Sequence, residues 1–177
     1  IAAERKGYNV YIPDGDSTLA YDGYVVIRAR DMAGNETTIT SDRIIYSKGA
    51  PDIVLDTEYE FGKWTNKDVV INVVTSAREC GIKRIAYYVS GKKISEEVFK
   101  DIKYENSYEL RLDKPAEKKS GYSVEVRAYD NCGNESRKKE KVYIDKEAPS
   151  LSISGAVNGT HYSGNVPLKL EISDVST

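Results

Sequence analysis

The chain has 177 residues, with 26 Lys and Arg against 28 Asp and Glu and a single His, so its formal net charge is −2. Neutralising phosphates needs a strong local excess of cations, which argues against a nucleic-acid partner, and no run of about 20 mostly apolar residues is present to cross a membrane as a helix. Hydrophobic residues at 40% give enough apolar surface for a core, and 14 Tyr against 2 Phe and 1 Trp suit thin layers in which a ring is buried and its hydroxyl is wet. Ile1 is followed by no basic and then apolar leader, and no sorting tail precedes Thr177, so the sequence reads as an internal segment of something longer.

In chain order, Gly23-Tyr24 opens an apolar stretch that ends in the turn Ala29-Arg30-Asp31-Met32-Ala33-Gly34-Asn35-Glu36. Arg43 to Pro51 leads into the short strand pattern Asp52-Ile53-Val54-Leu55, and Val69, Ile71 and Val73 then alternate with polar or outward neighbours. Cys80 follows, then Ile85, Tyr87 and Val89 with the same period of two, the mark of a half-buried strand. Ile94 to Ile102 reads equally as a capped helical turn, with Ser95 at the N-cap and Ile94 against Phe99, and is taken as an irregular edge connection. Tyr108, Leu110 and Leu112, then Val124, Val126 and Ala128, then Val142 and Ile144 resume the alternation, with Gly91, Gly121 and Gly133 as punctuation. Beyond Ala148-Pro149, Ser150 to Ile153 and the series Val166, Leu168, Leu170, Ile172 give two more strands.

The chain repeats itself. Ala29 to Glu36 recurs as Ala128-Tyr129-Asp130-Asn131-Cys132-Gly133-Asn134-Glu135 at an offset of 99, and Arg43 to Pro51 recurs as Lys141 to Pro149 at an offset of 98. A unit is therefore about a hundred residues long. Residues 48–146 form one complete copy, 1–47 the C-terminal part of a preceding copy and 147–177 the N-terminal part of a following one. Six or seven short strands per unit, separated by turn signals, point to an all-β fold: immunoglobulin-like β-sandwich repeats in tandem.

Asp130-Asn131-Cys132-Gly133-Asn134 before the last strand, with Ile144-Asp145-Lys146-Glu147-Ala148-Pro149 running into the next unit, resembles the tandem bacterial Ig-like repeats of cell-surface and secreted proteins. Trp64-Thr65-Asn66 before a Val-rich strand and Gly81-Ile82 before Tyr87-Tyr88 are similar to the same pattern. The resemblance implies a non-catalytic stalk or spacer at the bacterial surface or outside the cell, whose partners are neighbouring repeats of the same chain. The alternatives are an adhesive module for glycan or host protein and an accessory domain of a carbohydrate-active enzyme. Antibody domains keep a Trp inside the sandwich on the third strand, whereas Trp64 precedes the second and is expected to cap one end of the core.

Asp31, Gly34 and Asn35, like Asp130, Gly133 and Asn134, have the composition of a turn: Gly for a left-handed backbone, Asp and Asn for bonds to their own main chain. One such turn offers too few oxygens for calcium, which takes six to eight; a metal at the joint would need Asp52, Asp56 or Glu58 as further donors, and none is expected. In a sandwich of this type the loops bearing Cys80 and Cys132 lie at one pole, so a disulfide is expected there, with two free thiols as the alternative. That pole also faces the preceding repeat, so the bridge is expected to stiffen the joint. Gly121-Tyr122 and Gly23-Tyr24 resemble a tyrosine corner, the alternative being plain core packing. His161 is the only His and has no evident nucleophile beside it, no phosphate loop or dinucleotide fingerprint occurs, and neither catalysis nor a cofactor is expected. The run Arg137-Lys138-Lys139-Glu140-Lys141 splits between two faces and is read as a Lys-guarded edge strand rather than an anion patch.

Overall fold

The computed structural model describes Gly7, Asn9, residues 20–116 and residues 120–174; most of the first nineteen residues of the expected 1–47 unit and the last three of the 147–177 unit lie outside the described residues. Strands and their connections account for the described chain, with no helix among them. They are β1 (Ala20–Gly23), β2 (Val26–Arg30), β3 (Glu36–Thr40), β4 (Ile44–Ser47), β5 (Asp52–Asp56), β6 (Trp64–Thr65), β7 (Val69–Ser76), β8 (Ile82–Val89), β9 (Lys92–Lys103), β10 (Glu105–Leu112), β11 (Tyr122–Asp130), β12 (Glu135–Ile144), β13 (Ser150–Ser154) and β14 (Lys169–Ser173).

Five sheets result. A three-stranded sheet runs β10-β7-β5 and a five-stranded sheet runs β6-β12-β11-β8-β9, while β1-β4, β2-β3 and β13-β14 are two-stranded. The two large sheets share one core: Leu55, Val69, Ile71, Val73, Leu110 and Leu112 of the first pack with Ile82, Ile85, Tyr87, Val124, Val126, Ala128, Val142 and Ile144 of the second. This is a two-layer β-sandwich, and the alternation explains it, because successive side chains leave a strand on opposite faces and only one face of each sheet is apolar. In β7 every second residue, Val69, Ile71, Val73 and Thr75, is buried, and the residues between face outward.

The layers are tied at their margins by side chains. The Tyr122 hydroxyl donates to the carbonyls of Lys114 (3.2 Å) and Pro115 (3.0 Å), so it fastens the connection that precedes its own strand. Tyr59 donates to the Lys63 carbonyl, and its oxygen accepts from the Tyr143 amide, which holds the β5-β6 connection on β12. Inside, Tyr87 stacks on Tyr108 with centroids 4.0 Å apart. The Tyr87 hydroxyl donates to Glu97 (2.8 Å), and Asn106 donates to the same carboxylate oxygen (2.8 Å), so a half-buried polar bridge crosses from one sheet to the other. Burial, and then the neighbouring Glu97, push the Tyr87 phenol well above its ordinary range.

Three local expectations are corrected. Ile94 to Ile102 is neither a helical turn nor an irregular connection but part of the 12-residue edge strand β9, which gains from β8 the backbone bonds that a single helical turn would leave unmade. Trp64 does not cap the core: the two-residue β6 pairs parallel with β12 and sets Trp64 opposite outward-facing Tyr143, with ring centroids 5.0 Å apart. Leu168, Leu170 and Ile172 have the expected period of two, yet they are exposed, because β14 pairs with β13 alone.

Thr75 is fully buried, and its hydroxyl finds no hydrogen-bond partner among the described residues. An unpaired buried hydroxyl costs about 1–3 kcal/mol. Thr75→Val, which keeps the shape and removes the polar atom, should therefore raise the unfolding free energy by about 1 kcal/mol in urea titration; a loss of stability would contradict this account of the site.

Candidate functional site at the disulfide-bearing turn

Two hairpins carry the Asp-x-x-Gly-Asn sequence. In the β2-β3 hairpin Asp31 N–H donates to the Asn35 carbonyl (3.0 Å) and Gly34 N–H to the Asp31 carbonyl (3.1 Å), while the Asp31 carboxylate accepts from Asn35 N–H and from Asn35 Nδ2, each at 2.8 Å. In the β11-β12 hairpin Asp130 N–H donates to the Asn134 carbonyl (3.1 Å) and Gly133 N–H to Asp130 (3.4 Å), and the Asp130 carboxylate accepts from Asn134 N–H and Nδ2, again at 2.8 Å. Gly34 and Gly133 have φ of 94° and 93°, a conformation that a Cβ strains. The strand registers match as well: Arg30 opposes Glu36 as Tyr129 opposes Glu135. The Asn35 amide, first among several donors, holds the Asp31 carboxyl below the usual carboxylate range.

What surrounds the turns differs. Asp31 is exposed, whereas Asp130 is 1% exposed. Cys132 of the second turn is bonded to Cys80 of the β7-β8 loop, with Cα atoms 5.7 Å apart, and no cysteine is free. Asn131 reinforces that link: its Nδ2 donates to the Cys80 carbonyl (2.9 Å) and its N–H to that of Gly81 (3.1 Å). On the other side of the turn, Asn134 Nδ2 donates to the Ser47 carbonyl (2.9 Å), with the Gly49 carbonyl at 3.3 Å, and Cys132 Sγ lies 3.9 Å from the Ile45 carbonyl. The turn thus sits between the disulfide and the segment that runs from β4 into β5. Sequence reasoning found the turn and the cysteines but missed the second use of Asn134, which joins residues 87 apart in the chain.

The outward face of the five-stranded sheet is a second polar cluster. Glu125 lies between Arg127 (2.5 Å) and Arg137 (2.6 Å) with its side chain 9% exposed. Arg127 also lies over the Tyr88 ring and Arg84 over the Tyr129 ring, at 4.8 and 3.8 Å from their centroids. Arg84 in turn reaches Glu96, and Tyr129 donates to Glu135. Guanidinium groups therefore lie over the Tyr88 and Tyr129 rings of this face. In the basic run of β12, Lys138 donates to the Ile53 carbonyl and Lys141 to that of Ser120. Chemically these groups bind and hold one another. His161 is exposed in the connection between β13 and β14, and among the described residues no group of three or more His, Cys, Asp or Glu is gathered as a metal would require.

Two tests follow from this geometry. The disulfide closes a separation of 52 residues, for which chain entropy gives about 4 kcal/mol; reduction should lower unfolding stability by that order and add about 2 mass units, and an unchanged urea midpoint would contradict it. Burial pushes the Glu125 carboxyl upward, but Arg127 and Arg137 together outweigh it and leave the group below its ordinary value. A lowered folded-state value means that the stabilisation is complete above the unfolded carboxylate range and is lost as pH falls through the folded value. Wild type should therefore lose stability below about pH 4.5 more steeply than Glu125→Gln, so that the gap between them narrows toward pH 3; parallel curves would contradict the assignment. In comparisons with known proteins, no family model and no curated sequence matches this chain.

Proposed function

We propose that the chain is a segment of a tandem array of immunoglobulin-like sandwiches in an exported bacterial protein, and that it works as a non-catalytic stalk. The single observation that carries the reading is the pair of hairpins 99 residues apart, which share one strand register and the same Asp–Asn and Gly–Asp turn hydrogen bonds. Other correspondences support it. Leu55 opposes Val73 in β5-β7 as Ile153 opposes Leu170 in β13-β14, and the Ser47 hydroxyl accepts from Gly49 N–H as the Asp145 carboxylate accepts from Glu147 N–H, each 3.0 Å. On this reading β1 to β4 are the end of one copy, β5 to β12 a whole copy and β13-β14 the start of another.

The strand orders β10-β7-β5 and β6-β12-β11-β8-β9, with the Tyr122 hydroxyl tied back to Lys114 and Pro115, fit an Ig-like topology with a tyrosine corner. The disulfide fits an oxidising compartment outside the cytosol. Mechanically, cooperative sandwiches joined by short linkers, each with a Pro that restricts itself and its neighbour to extended backbone, hold another domain at a distance from the envelope. Those linkers are Ser47 to Pro51 and Asp145 to Pro149.

The rival adhesive reading has a place to bind, an open cleft at one end of the sandwich lined by Val89, Lys92, Ile94, Lys114 and Tyr122. Glycan arrays and pull-downs with the full 177-residue chain decide between them. The stalk reading expects no saturable binding, while saturable binding abolished by Lys92→Ala with Lys114→Ala, or by substitution of exposed Tyr24 or Tyr104, would overturn it.

A further inference from the structure

We propose that the Asp130–Asn134 turn is a coupling site between consecutive units, whose partner is the backbone that leaves β4. The hairpin that finishes one sandwich thereby also fixes the direction of the chain that enters it. This inference rests on the serial-unit reading above and gives its joint a specific recognition chemistry: one side-chain amide against two backbone carbonyls two residues apart.

An Asn side chain carries two N–H donors. Asp130 Oδ2 holds the Asn134 amide at 2.8 Å, so its rotamer is fixed before it meets the linker, and the amide reaches the Ser47 carbonyl at 2.9 Å with that of Gly49 close by. The linker is shaped to match. Gly49 N–H donates to the Ser47 hydroxyl (3.0 Å), a local turn that brings the carbonyls of residues 47 and 49 to the same nitrogen. Ser47 is buried, and a Cβ at Gly49 would stand 3.3 Å from the Ser47 hydroxyl oxygen and 3.7 Å from Glu79 of the β7-β8 loop.

That loop is the one secured by Cys80–Cys132 and by Asn131. The two asparagines of the turn therefore grip in opposite directions, Asn131 the loop of its own sandwich and Asn134 the incoming chain. In the β2-β3 hairpin Met32 and Ala33 occupy the places of Asn131 and Cys132, and Met32 is fully exposed. The bonds between Asp and Asn and between Gly and Asp are thus common to both hairpins, while the disulfide and the loop grip are additions at the second, where Asp130 is buried and Asn134 reaches the linker.

Asparagine is specific here. Aspartate offers no donor to the carbonyls and sets a second carboxylate beside Asp130, and alanine removes the bridge while keeping the backbone bond from residue 134 to Asp130 Oδ1. The test is a set of residual dipolar couplings on the isotope-labelled full chain. In wild type, amides of β4 and of β8 and β11 should fit one alignment tensor. In Asn134→Ala, with the chemical shifts of β7, β8 and β11 retained, the amides of the β1-β4 pair should need a separate tensor with order reduced about twofold or more. Asn35→Ala, which cuts the same bond in the other hairpin, should leave the single fit intact.

Asn134→Asp is the second variant and should separate the tensors as alanine does. A single unchanged tensor in both variants would overturn the coupling while leaving the stalk reading in place. Loss of the β7, β8 and β11 shifts in both would assign Asn134 to the stability of the sandwich itself and would also overturn it. Saturable ligand binding, by contrast, would sink the stalk reading and leave this result untouched.

Discussion

Burying a carboxylate is expensive unless hydrogen bonds replace its water, and Asp130 meets that requirement with neutral donors from one residue, Asn134. Around that exchange the rest is arranged. The carboxylate closes the β11-β12 turn, the closed turn presents Cys132 to Cys80 and Asn131 to the β7-β8 loop, and the fixed Asn134 amide has one donor left for the linker. Glu125 solves the same problem on the opposite side of β11 with two guanidinium groups. One buried acid organises a turn and a joint; the other organises a sheet face.

The sandwich gives this turn something rigid to stand on. The residues immediately before it, Val124, Val126 and Ala128, are fully buried in a core that spans both large sheets, so the end of β11 cannot shift without disturbing close packing. The disulfide adds a second anchor from β7, and the Tyr122 hydroxyl holds the opposite end of the same strand. Packing thus passes into hydrogen-bond geometry at the turn, and from there into the direction of the backbone at Ser47 to Gly49. The proposed stalk would need that transfer more than a pocket.

Much of this was legible in the sequence because the signals are local. Alternation along Val69, Ile71 and Val73 or Val124, Val126 and Ala128 fixes which face is buried, and Asp with Gly and Asn at the right spacing writes a turn whatever surrounds it. The cysteines could be paired once their loops were placed at one pole. What stayed hidden depends on distant partners. In Ile94 to Ile102 a helical and an extended reading are locally equivalent, and only the neighbouring β8 decides between them. Trp64 was expected to cap one end of the core, but its register with β12 sets it beside outward-facing Tyr143 instead. The grip of Asn134 on Ser47 and the pairing of Arg127 and Arg84 with aromatic rings involve residues that meet only after the sheets form.

The functional account follows from what the groups can do to one another. Arginines lie over Tyr88 and Tyr129 of the outer sheet face, Lys138 and Lys141 of β12 donate to backbone carbonyls, and the turn at Asp130 to Asn134 faces a linker. The proposed stalk requires that residues between the two Pro-containing linkers form one cooperative unit in series with others. Limited proteolysis of the oxidised chain followed by mass spectrometry reads out that unit. The expected resistant fragment begins between the end of β3 and Pro51 and ends just beyond Ile144, and cuts outside β5 to β12 precede any cut within β7, β8, β11 or β12. Early cleavage inside those strands, or uniform resistance from β1 through β14, would count against a single cooperative unit.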